Sequence, residues 1–312
     1  MDIYFLGTGA GMPTKERNVT SIALTQYEER GSFWLFDCGE ATQHQVLRSP
    51  LKLSKLEFIW ITHLHGDHIF GLPGLLSSRS NQGGTSPLTI FGPKGIEAYI
   101  RTSMQISQSR LNYDMNIVEI SEGLVYEDEQ CTVETALLDH RIDSYGYRIQ
   151  EKPKPGSLDI AKVKSYGLLP GPQYGLLKNG TDVTLPEGTV IRSSDVVGPP
   201  QPGRIIVVLG DTRPCANVLR LAQGADLLVH EATFAQELAA LAREFYHSTT
   251  SEAAHAAAAA GANQLVLTHI SGRYADEGTD LLLEEARRIF PNTQVASDHS
   301  SYPIPLRAKE EK

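Results

Sequence analysis

The segment ITHLHGDHIFG, residues 61–71, concentrates side chains that bind metal ions. His63, His65, Asp67 and His68 fall within six positions, directly after an apolar run that predicts a buried strand. In extended chain, residues two apart face the same side, so His63 and His65 can reach one ion together. Asp67 and His68 can then serve an adjacent position. Imidazole and carboxylate without thiolate suit zinc, with manganese or iron as alternatives.

One loop cannot close a metal site, so further ligands must come from distant parts of the chain. His140, Asp211 and His269 each follow another apolar run. Any one of them alone is as readily structural as functional. Their shared position after strands predicts that they meet at one edge of the sheets, where open α/β folds place their sites.

The elements that must position these residues are short apolar strands mixed with helix-like segments. This mixture predicts a layered α/β architecture with strands buried on both faces. Thr249 or Ser251 is suited to cap the alanine-rich helix. The predicted strands are 3–6, 21–25, 33–36, 58–62, 88–91, 205–209, 226–230 and 264–269. The predicted helices are 94–108, 214–222, 235–245, 251–260 and 280–290.

Residues 151–203 interrupt this pattern with eight prolines and eight glycines, a density typical of irregular chain. We interpret them as an insertion within a single domain that spans residues 1–312. The alternative is a disordered loop, but Leu168, Leu169 and Tyr174 favour some ordered structure.

Bulk properties narrow the function classes. The chain of 312 residues has a formal net charge of −9, which argues mildly against nucleic-acid binding. Residues 148–178 differ, with six basic against two acidic side chains. Three distant cysteines predict free thiols in a reducing cytoplasm. No apolar stretch approaches the ~20 residues that span a bilayer, so we expect no membrane association.

At this point the sequence resembles a known family. THLHGDH matches the T-H-x-H-x-D-H signature of the metallo-β-lactamase superfamily. The closer resemblance, over essentially the whole chain, is to the ribonuclease Z family of tRNA 3′-processing endonucleases. It is carried by FLGTGAGMPTKERNVTS, WLFDCGEATQHQ, GLPGLLSSRS, HEATF and YHSTT. The resemblance implies an α/β fold, the metallo-β-lactamase αβ/βα sandwich, with a protruding Gly/Pro-rich arm inserted between its halves.

The resemblance also implies two zinc ions per chain. The family pattern assigns His63, His65 and His140 to the first ion, Asp67, His68 and His269 to the second, and Asp211 to a bridging position. Asp67 would also orient the attacking water and accept its proton. His247 would protonate the leaving 3′ oxygen, and Glu231 would hold the His247 imidazole in the useful tautomer.

Contacts with precursor tRNA are implied at the PTKERN loop, at Ser248 and Thr249, and in the arm. In the family, the PTKERN loop lies at the active site and helps discriminate against a mature CCA end. The resemblance implies that the arm at 151–203 is an exosite that would grip the tRNA body through phosphates and shape. The alternative for the arm is a surface loop whose scattered lysines have no role in RNA binding. The implied RNA-contacting residues are Lys15, Arg17, Asn18, Ser248, Thr249, Lys152, Lys154, Lys162, Lys164 and Lys178.

The sequence therefore predicts a cytoplasmic, zinc-dependent endoribonuclease that removes 3′ trailers from tRNA precursors and leaves a 3′-hydroxyl. The resemblance implies a homodimer in which one subunit's arm serves the other's site. Two alternatives stay open. One is a hydrolase of small esters, thioesters or cyclic phosphodiesters, whose members generally lack the long arm. The other is an RNA-binding subunit with a structural metal site and no turnover.

Overall fold

A computed structural model describes residues 1–274 and 278–307 of the chain. These residues divide into two units. The first comprises residues 1–127, 132–149 and 205–305, and the second is centred on residues 150–204. Among the described helices, none combines the length and apolar character that a membrane crossing requires.

Two seven-stranded sheets form the framework of the first unit within the described residues. In spatial order, the first sheet contains β16 (Ser301–Pro303), β1 (Asp2–Gly7), β2 (Ser21–Gln26), β3 (Ser32–Phe36), β4 (Leu56–Trp60), β5 (Leu88–Gly92) and β6 (Met115–Glu119). The second contains β15 (Thr293–Val295), β14 (Leu265–Thr268), β13 (Leu227–Glu231), β12 (Ile205–Leu209), β9 (Tyr145–Glu151), β8 (Cys131–Leu137) and β7 (Gly123–Glu127).

An aromatic layer joins the facing surfaces of the two sheets. The Trp60 ring of β4 lies 5.5 Å from the Tyr147 ring of β9, centroid to centroid. The Trp34 ring of β3 lies 6.1 Å from the Tyr126 ring of β7. Tyr147 is fully buried, and its hydroxyl donates to the Ile61 carbonyl at 2.6 Å. Large, buried aromatic rings therefore fix the spacing of the sheets.

Helices cover the outer face of each sheet. One core cluster packs Leu72 and Ile100 against Leu35 and Ile59 of the first sheet. The corresponding helices are α1 (Thr42–Leu47), α2 (Gly66–Ile69), α3 (Leu72–Asn81) and α4 (Ile96–Ile106). The second sheet is covered in the same way by α8 (Ala216–Ala222), α10 (Thr250–Ala260) and α11 (Gly278–Ile289). Helix α9 (Ala239–Phe245) precedes α10 in the chain. The predicted αβ/βα sandwich is confirmed.

Strand direction brings several loops to equivalent ends. β3 to β6 run parallel to one another, and so do β12 to β15. The carboxyl ends of parallel strands share one edge of a sheet, where side chains on the following loops can converge. Both sheets thus offer such an edge to the loops that carry the candidate ligands.

The second unit has its own small core, in place of a structureless loop. Its buried side chains include Val163, Leu177, Ile191 and Val196. Its elements are α5 (Ile160–Ser165), α6 (Pro172–Lys178), β10 (Val183–Thr184), β11 (Val190–Ile191) and α7 (Ser193–Val196). The buried Arg204 guanidinium donates to the Glu151 carboxylate at 2.7 Å.

Thr249 begins α10 with a capping box, in which its hydroxyl accepts from the Glu252 amide and Glu252 bonds back. We predict that Thr249→Ala lowers the free energy of unfolding by about 1 kcal/mol, because a buried helix N-terminus loses its cap. Thr249→Ser keeps the hydroxyl and serves as the control. Urea denaturation of both variants measures the difference. Equal stability of the alanine and serine variants would contradict a capping role.

Candidate metal centre

The ligand-type residues predicted from the sequence lie just beyond the carboxyl ends of strands. His63 follows β4, Asp211 follows β12 and His269 follows β14. His269 has a left-handed backbone with φ of 56°. His140 lies beyond the end of β8. Strands from both sheets therefore contribute to one site.

Asp211 lies at the centre of this group and is 3% exposed. Its Oδ2 atom lies 3.6 Å from Nε2 of His63, 3.6 Å from Nε2 of His68 and 3.3 Å from Nε2 of His269. His63 and His68 belong to the first sheet's loops and His269 to the second's. One carboxylate oxygen is thus surrounded by imidazole nitrogens from both halves of the sandwich.

The remaining predicted ligands complete two adjacent groups. Nδ1 of His65 lies 3.2 Å from Nε2 of His140. Oδ2 of Asp67 lies 3.4 Å from Nε2 of His269 and 3.5 Å from Nε2 of His68. The structure therefore brings all seven predicted side chains together. The donor atoms of each of three triads lie within 4.8 Å of one another: His63, His65 and His140; His63, His68 and Asp211; and Asp67, His68 and His269.

Hydrogen bonds to the protein fix the tautomer of four of these histidines. Thr62 donates its hydroxyl proton to Asp37, so the Thr62 oxygen is left to accept from Nδ1 of His63. Thr233 likewise donates its hydroxyl proton to Glu231, so its oxygen accepts from Nδ1 of His269. The Nδ1 bonds are His63 to Thr62 (3.0 Å), His68 to Asp37 (2.7 Å), His140 to the Tyr246 carbonyl (2.9 Å) and His269 to Thr233 (2.8 Å). In all four, Nε2 keeps its lone pair for a metal ion.

Two of these Nε2 atoms, those of His63 and His68, are buried without a hydrogen-bond partner among the described residues. Buried polar atoms in native proteins normally have a partner, and a bound cation would supply one. Tetrahedral zinc with bonds of about 2.0–2.1 Å places its donors roughly 3.3–3.4 Å apart, close to the separations found here. Five imidazoles and two carboxylates therefore fit a pair of zinc-type cations.

The candidate histidines differ in the direction of their pKa shifts. Burial lowers the pKa of His63, His65 and His140, which favours the neutral form that binds metal. His68 differs, because Asp211, Asp37 and Asp67 outweigh its burial and hold its pKa well above the ordinary value. These carboxylates attract a positive charge at His68, whether a proton or a cation supplies it.

Beside the ligand group lies a histidine–carboxylate pair. Nδ1 of His247 donates to Oε1 of Glu231 at 2.9 Å. Glu231 is buried and also accepts from the Thr212 amide and from the amide and hydroxyl of Thr233. Burial of the imidazole lowers its pKa, but the Glu231 carboxylate outweighs this and raises the pKa of His247 to about 9. At neutral pH the arrangement favours protonated His247, with Nε2–H available as a donor.

His247 also forms a fourth possible metal triad with Asp211 and His269. Its Nδ1 lies 3.9 Å from Asp211 Oδ2 but only 2.9 Å from Glu231. Since that nitrogen already donates to Glu231, metal binding through it would break a buried charge-assisted bond. The geometry favours a proton-donating His247 over a ligand.

Four residues that support the ligands were not assigned from the sequence: Asp37, Thr62, Thr233 and Tyr246. Asp37 had the same signal as the ligands, since it directly follows β3. It is buried, has φ of 57° and accepts from His68 and from the Thr62 amide and hydroxyl. The other three act through a hydroxyl or a backbone carbonyl, which residue type alone does not reveal.

The predicted RNA contacts of the PTKERN loop differ in accessibility. Lys15 is exposed, and it lines a cavity of about 460 Å³ together with Arg17 and Asn18. Arg17 is only 7% exposed, and its guanidinium donates to the Thr8 hydroxyl and the Ala296 carbonyl, each at 2.6 Å. Direct RNA contact by Arg17 would require those bonds to break.

Ser248 and Thr249 are fully buried, in contrast to the expectation that they contact RNA. The Ser248 hydroxyl donates to the Thr212 carbonyl at 2.6 Å. Thr249 caps α10. Because both hydroxyls are bonded within the protein, we expect them to hold the neighbouring His247 in place.

The lysines predicted for the arm belong to the second unit. Lys162 and Lys164 lie on α5 and Lys178 on α6, all exposed. Lys154 is exposed with Nζ 3.9 Å from Glu151, and Lys152 is half-buried. Exposed ammonium groups are suited to phosphate contacts, but the exosite role itself stays a prediction.

A cleft of about 340 Å³ opens onto the ligand group. Asp67, Asp211, His247 and His269 contribute to its polar wall, and Phe234 to its apolar wall. The Asp67 carboxylate also accepts from the Gly11 amide at 2.8 Å. Such a site suits hydrolysis of an anionic ester, because cations held by the ligand group would lie beside a proton donor.

Comparisons with known proteins agree with this chemistry. Two family models match parts of the chain: Anti-Pycsar protein Apyc1 over residues 1–158, and Beta-lactamase superfamily domain over residues 177–270. A Ribonuclease Z from Geobacillus kaustophilus is 53% identical over 305 residues, which cover 98% of this chain and 99% of the relative. A Ribonuclease Z from Listeria monocytogenes serotype 4b is 55% identical over 304 residues, with 97% and 99% covered.

Among solved structures, the short form of human tRNase Z aligns with a TM-score of 0.73 and 31% sequence identity. The alignment covers 98% of this chain and all of the human chain. The Apyc1 match ends before Asp211, Glu231, His247 and His269. The full-length relatives span the whole site and therefore decide the family.

We predict that Asp37→Asn weakens metal binding by about 10–100-fold, because a neutral amide replaces the carboxylate that orients His68. His63→Ala should abolish binding at its position outright. Chelator competition measures the affinity, and Asp2→Asn, an exposed carboxylate on the first sheet's β1, is the control. Wild-type affinity in the Asp37 variant would show that His68 needs no such support.

Proposed function

The chain belongs to the ribonuclease Z family, and from this membership we propose that it is the endoribonuclease that removes 3′ trailers from tRNA precursors. The observation that carries the proposal is full-length identity above 50% to proteins named Ribonuclease Z. The ligand group and the His247–Glu231 pair support it, since Asp67, Asp211, His269 and His247 line one cleft.

Two zinc ions per chain are part of the proposal. The first would be held by His63, His65 and His140, and the second by Asp67, His68 and His269, with Asp211 between them. Bound there, the cations would supply activation of water and neutralisation of phosphate charge. The clustered Nε2 lone pairs and the buried, partnerless Nε2 atoms of His63 and His68 support this assignment.

The chain's own residues would handle the protons. His68 and His269 outweigh burial and hold the pKa of Asp67 well below its usual range, so the carboxylate is ionised and can orient the attacking water. Because this low pKa makes Asp67 a weak base, it would accept the proton only from a water that the bound cations make more acidic. As the water oxygen bonds to phosphorus, the bond from phosphorus to the 3′ oxygen breaks. His247 would give the Nε2 proton to that oxygen, while Glu231 holds Nδ1. The tRNA would leave with a 3′-hydroxyl and the trailer with a 5′-phosphate.

The second unit is proposed to supply affinity for the tRNA body. Its exposed Lys162, Lys164 and Lys178 support contacts with phosphate groups of the tRNA. We further propose a homodimer that works in the cytoplasm, where precursor tRNA is the substrate. Leu47 and Phe70, which are 68% and 62% exposed, are large apolar side chains suited to a subunit interface.

Cleavage of a trailer-bearing precursor tRNA tests the function directly. The expected products are a tRNA with a 3′-hydroxyl end, cut at the end of the acceptor stem, and a trailer with a 5′-phosphate. A cyclic phosphodiester and a thioester serve as rival substrates. Turnover of either rival without tRNA cleavage would favour the small-ester hydrolase, and binding without any turnover would favour the RNA-binding subunit.

His247→Ala should keep its metal ions but lower the single-turnover rate of precursor cleavage by roughly 10²-fold or more, because the leaving oxygen loses its proton donor. Glu231→Gln should lower the rate in the same direction, since it removes the charge that holds His247 protonated. Metal content and rate are measured on the same samples. An unchanged rate in the His247 variant would remove that residue from the mechanism.

Replacing residues 155–198 with a short Gly/Ser linker should leave hydrolysis of a small chromogenic phosphodiester intact, because all candidate ligands lie outside this segment. Precursor tRNA cleavage should fall steeply, mainly through weaker binding. Its salt dependence should become shallower as phosphate contacts are lost. Undiminished tRNA processing by the shortened protein would contradict the exosite proposal.

A further inference from the structure

Tyr246 has an unusual backbone for a bulky residue. Its φ of 63° and ψ of 39° place it in the left-handed region, which residues with a β-carbon rarely adopt. In this conformation its carbonyl oxygen accepts the Nδ1 proton of His140 at 2.9 Å. The next residue is His247. One peptide segment therefore connects a candidate ligand with the candidate proton donor.

The Tyr246 ring is held by two guanidinium groups. Cζ of Arg213 lies 3.9 Å from the ring centroid, and Cζ of Arg141 lies 5.8 Å from it. Arg213 is fixed in turn by a two-pronged ion pair with Asp139, at 2.9 and 3.1 Å. The Arg213 amide also donates to the Asp139 carbonyl at 2.9 Å. Asp139 directly precedes His140.

These contacts join three separate loops of the site. Asp139 lies beside His140, Arg213 lies two residues beyond Asp211, and Tyr246 precedes His247. Each loop presents one side chain of the proposed machinery. A shift of any one loop would separate the Arg213 guanidinium from either its carboxylate or its aromatic partner.

We propose that Tyr246 is a positioning residue and that, with Arg213 and Asp139, it forms a clasp that sets His140 and His247 relative to each other. The proposal rests on the proposed function, in which His140 binds metal and His247 donates a proton. Packing of the ring against Arg213 offsets the unfavourable backbone at Tyr246. That backbone directs the carbonyl that selects the His140 tautomer.

Removal of the ring releases this arrangement. Alanine at this position has no stacking contact to offset the left-handed backbone, so the carbonyl turns away from His140. Metal affinity should then fall at least tenfold for one of the two bound ions, the one held with His63 and His65. The maximal rate should fall with it, whereas KM for precursor tRNA should change little, since RNA affinity comes from elsewhere.

The test compares Tyr246→Ala and four further variants of the full-length protein with wild type. Tyr246→Phe keeps the ring and should restore wild-type metal affinity. Tyr246→Gly lacks the ring but adopts positive φ at little cost, so it should lie between the phenylalanine and alanine variants. Arg213→Met removes the stacked cation and should resemble Tyr246→Ala. Arg220→Met is the matched control, because Arg220 pairs with Glu134 away from these loops.

Two readouts separate positioning from general destabilisation. Chelator competition and the cobalt(II) absorption spectrum report the affinity and histidine coordination of each ion without RNA. Thermal unfolding reports whether each variant folds. The order phenylalanine, glycine, alanine in metal affinity, with loss confined to one ion, is the expected result. If the alanine variant fails to fold, the glycine and Arg213 variants decide by the same measure.

The clasp would be overturned if Tyr246→Ala bound both ions with wild-type affinity and had a wild-type rate. If that variant does not fold, the same result in Tyr246→Gly and Arg213→Met would overturn it. Equal loss of both ions in the same variants would also overturn it, because a positioning role at His140 predicts selective loss. Failure of the proposed function looks different: the wild-type protein itself would not cleave precursor tRNA, whatever the metal affinities of the variants.

Discussion

The structure depends on the environment of a single carboxylate. Oδ2 of Asp211 is buried within 3.6 Å of Nε2 atoms from His63, His68 and His269. Two of these imidazoles come from the first sheet's loops and one from the second's. A buried group of this kind is stable only if charges and lone pairs are matched, by protons or by cations. The two sheets of the sandwich must therefore be held in one relative position.

The rest of the fold maintains the relative position of the two sheets. The aromatic layer around Trp60 and Tyr147 sets the distance between the sheets, and the Tyr147 hydroxyl bonds to the carbonyl two residues before His63. The imidazoles are oriented by hydrogen bonds that their Nδ1–H groups donate to Asp37, Thr62 and other neighbours.

The sequence predicted the seven candidate ligands because four of them cluster at 63–68 after one apolar strand, and His140, Asp211 and His269 each follow an apolar run of their own. Most of the central strands were also predictable, since burial on both faces makes them continuously apolar, but β9 was missed because polar residues interrupt it. The helix at 280–290 was predictable from the helical spacing of its apolar residues. β6 and β7 were missed because their residues are mostly exposed or half-buried and lack an apolar run. The burial of Arg17, Ser248 and Thr249 was not foreseen, because it depends on tertiary partners.

The central claim is that this site hydrolyses precursor tRNA only when its ligand group holds two cations. Its most direct test adds zinc stepwise to the chelated full-length protein while precursor tRNA cleavage is measured. The account predicts no cleavage without metal, and a rate that rises with added zinc and saturates at about two equivalents per chain. Full cleavage by verified metal-free protein, or saturation at one equivalent, would contradict it.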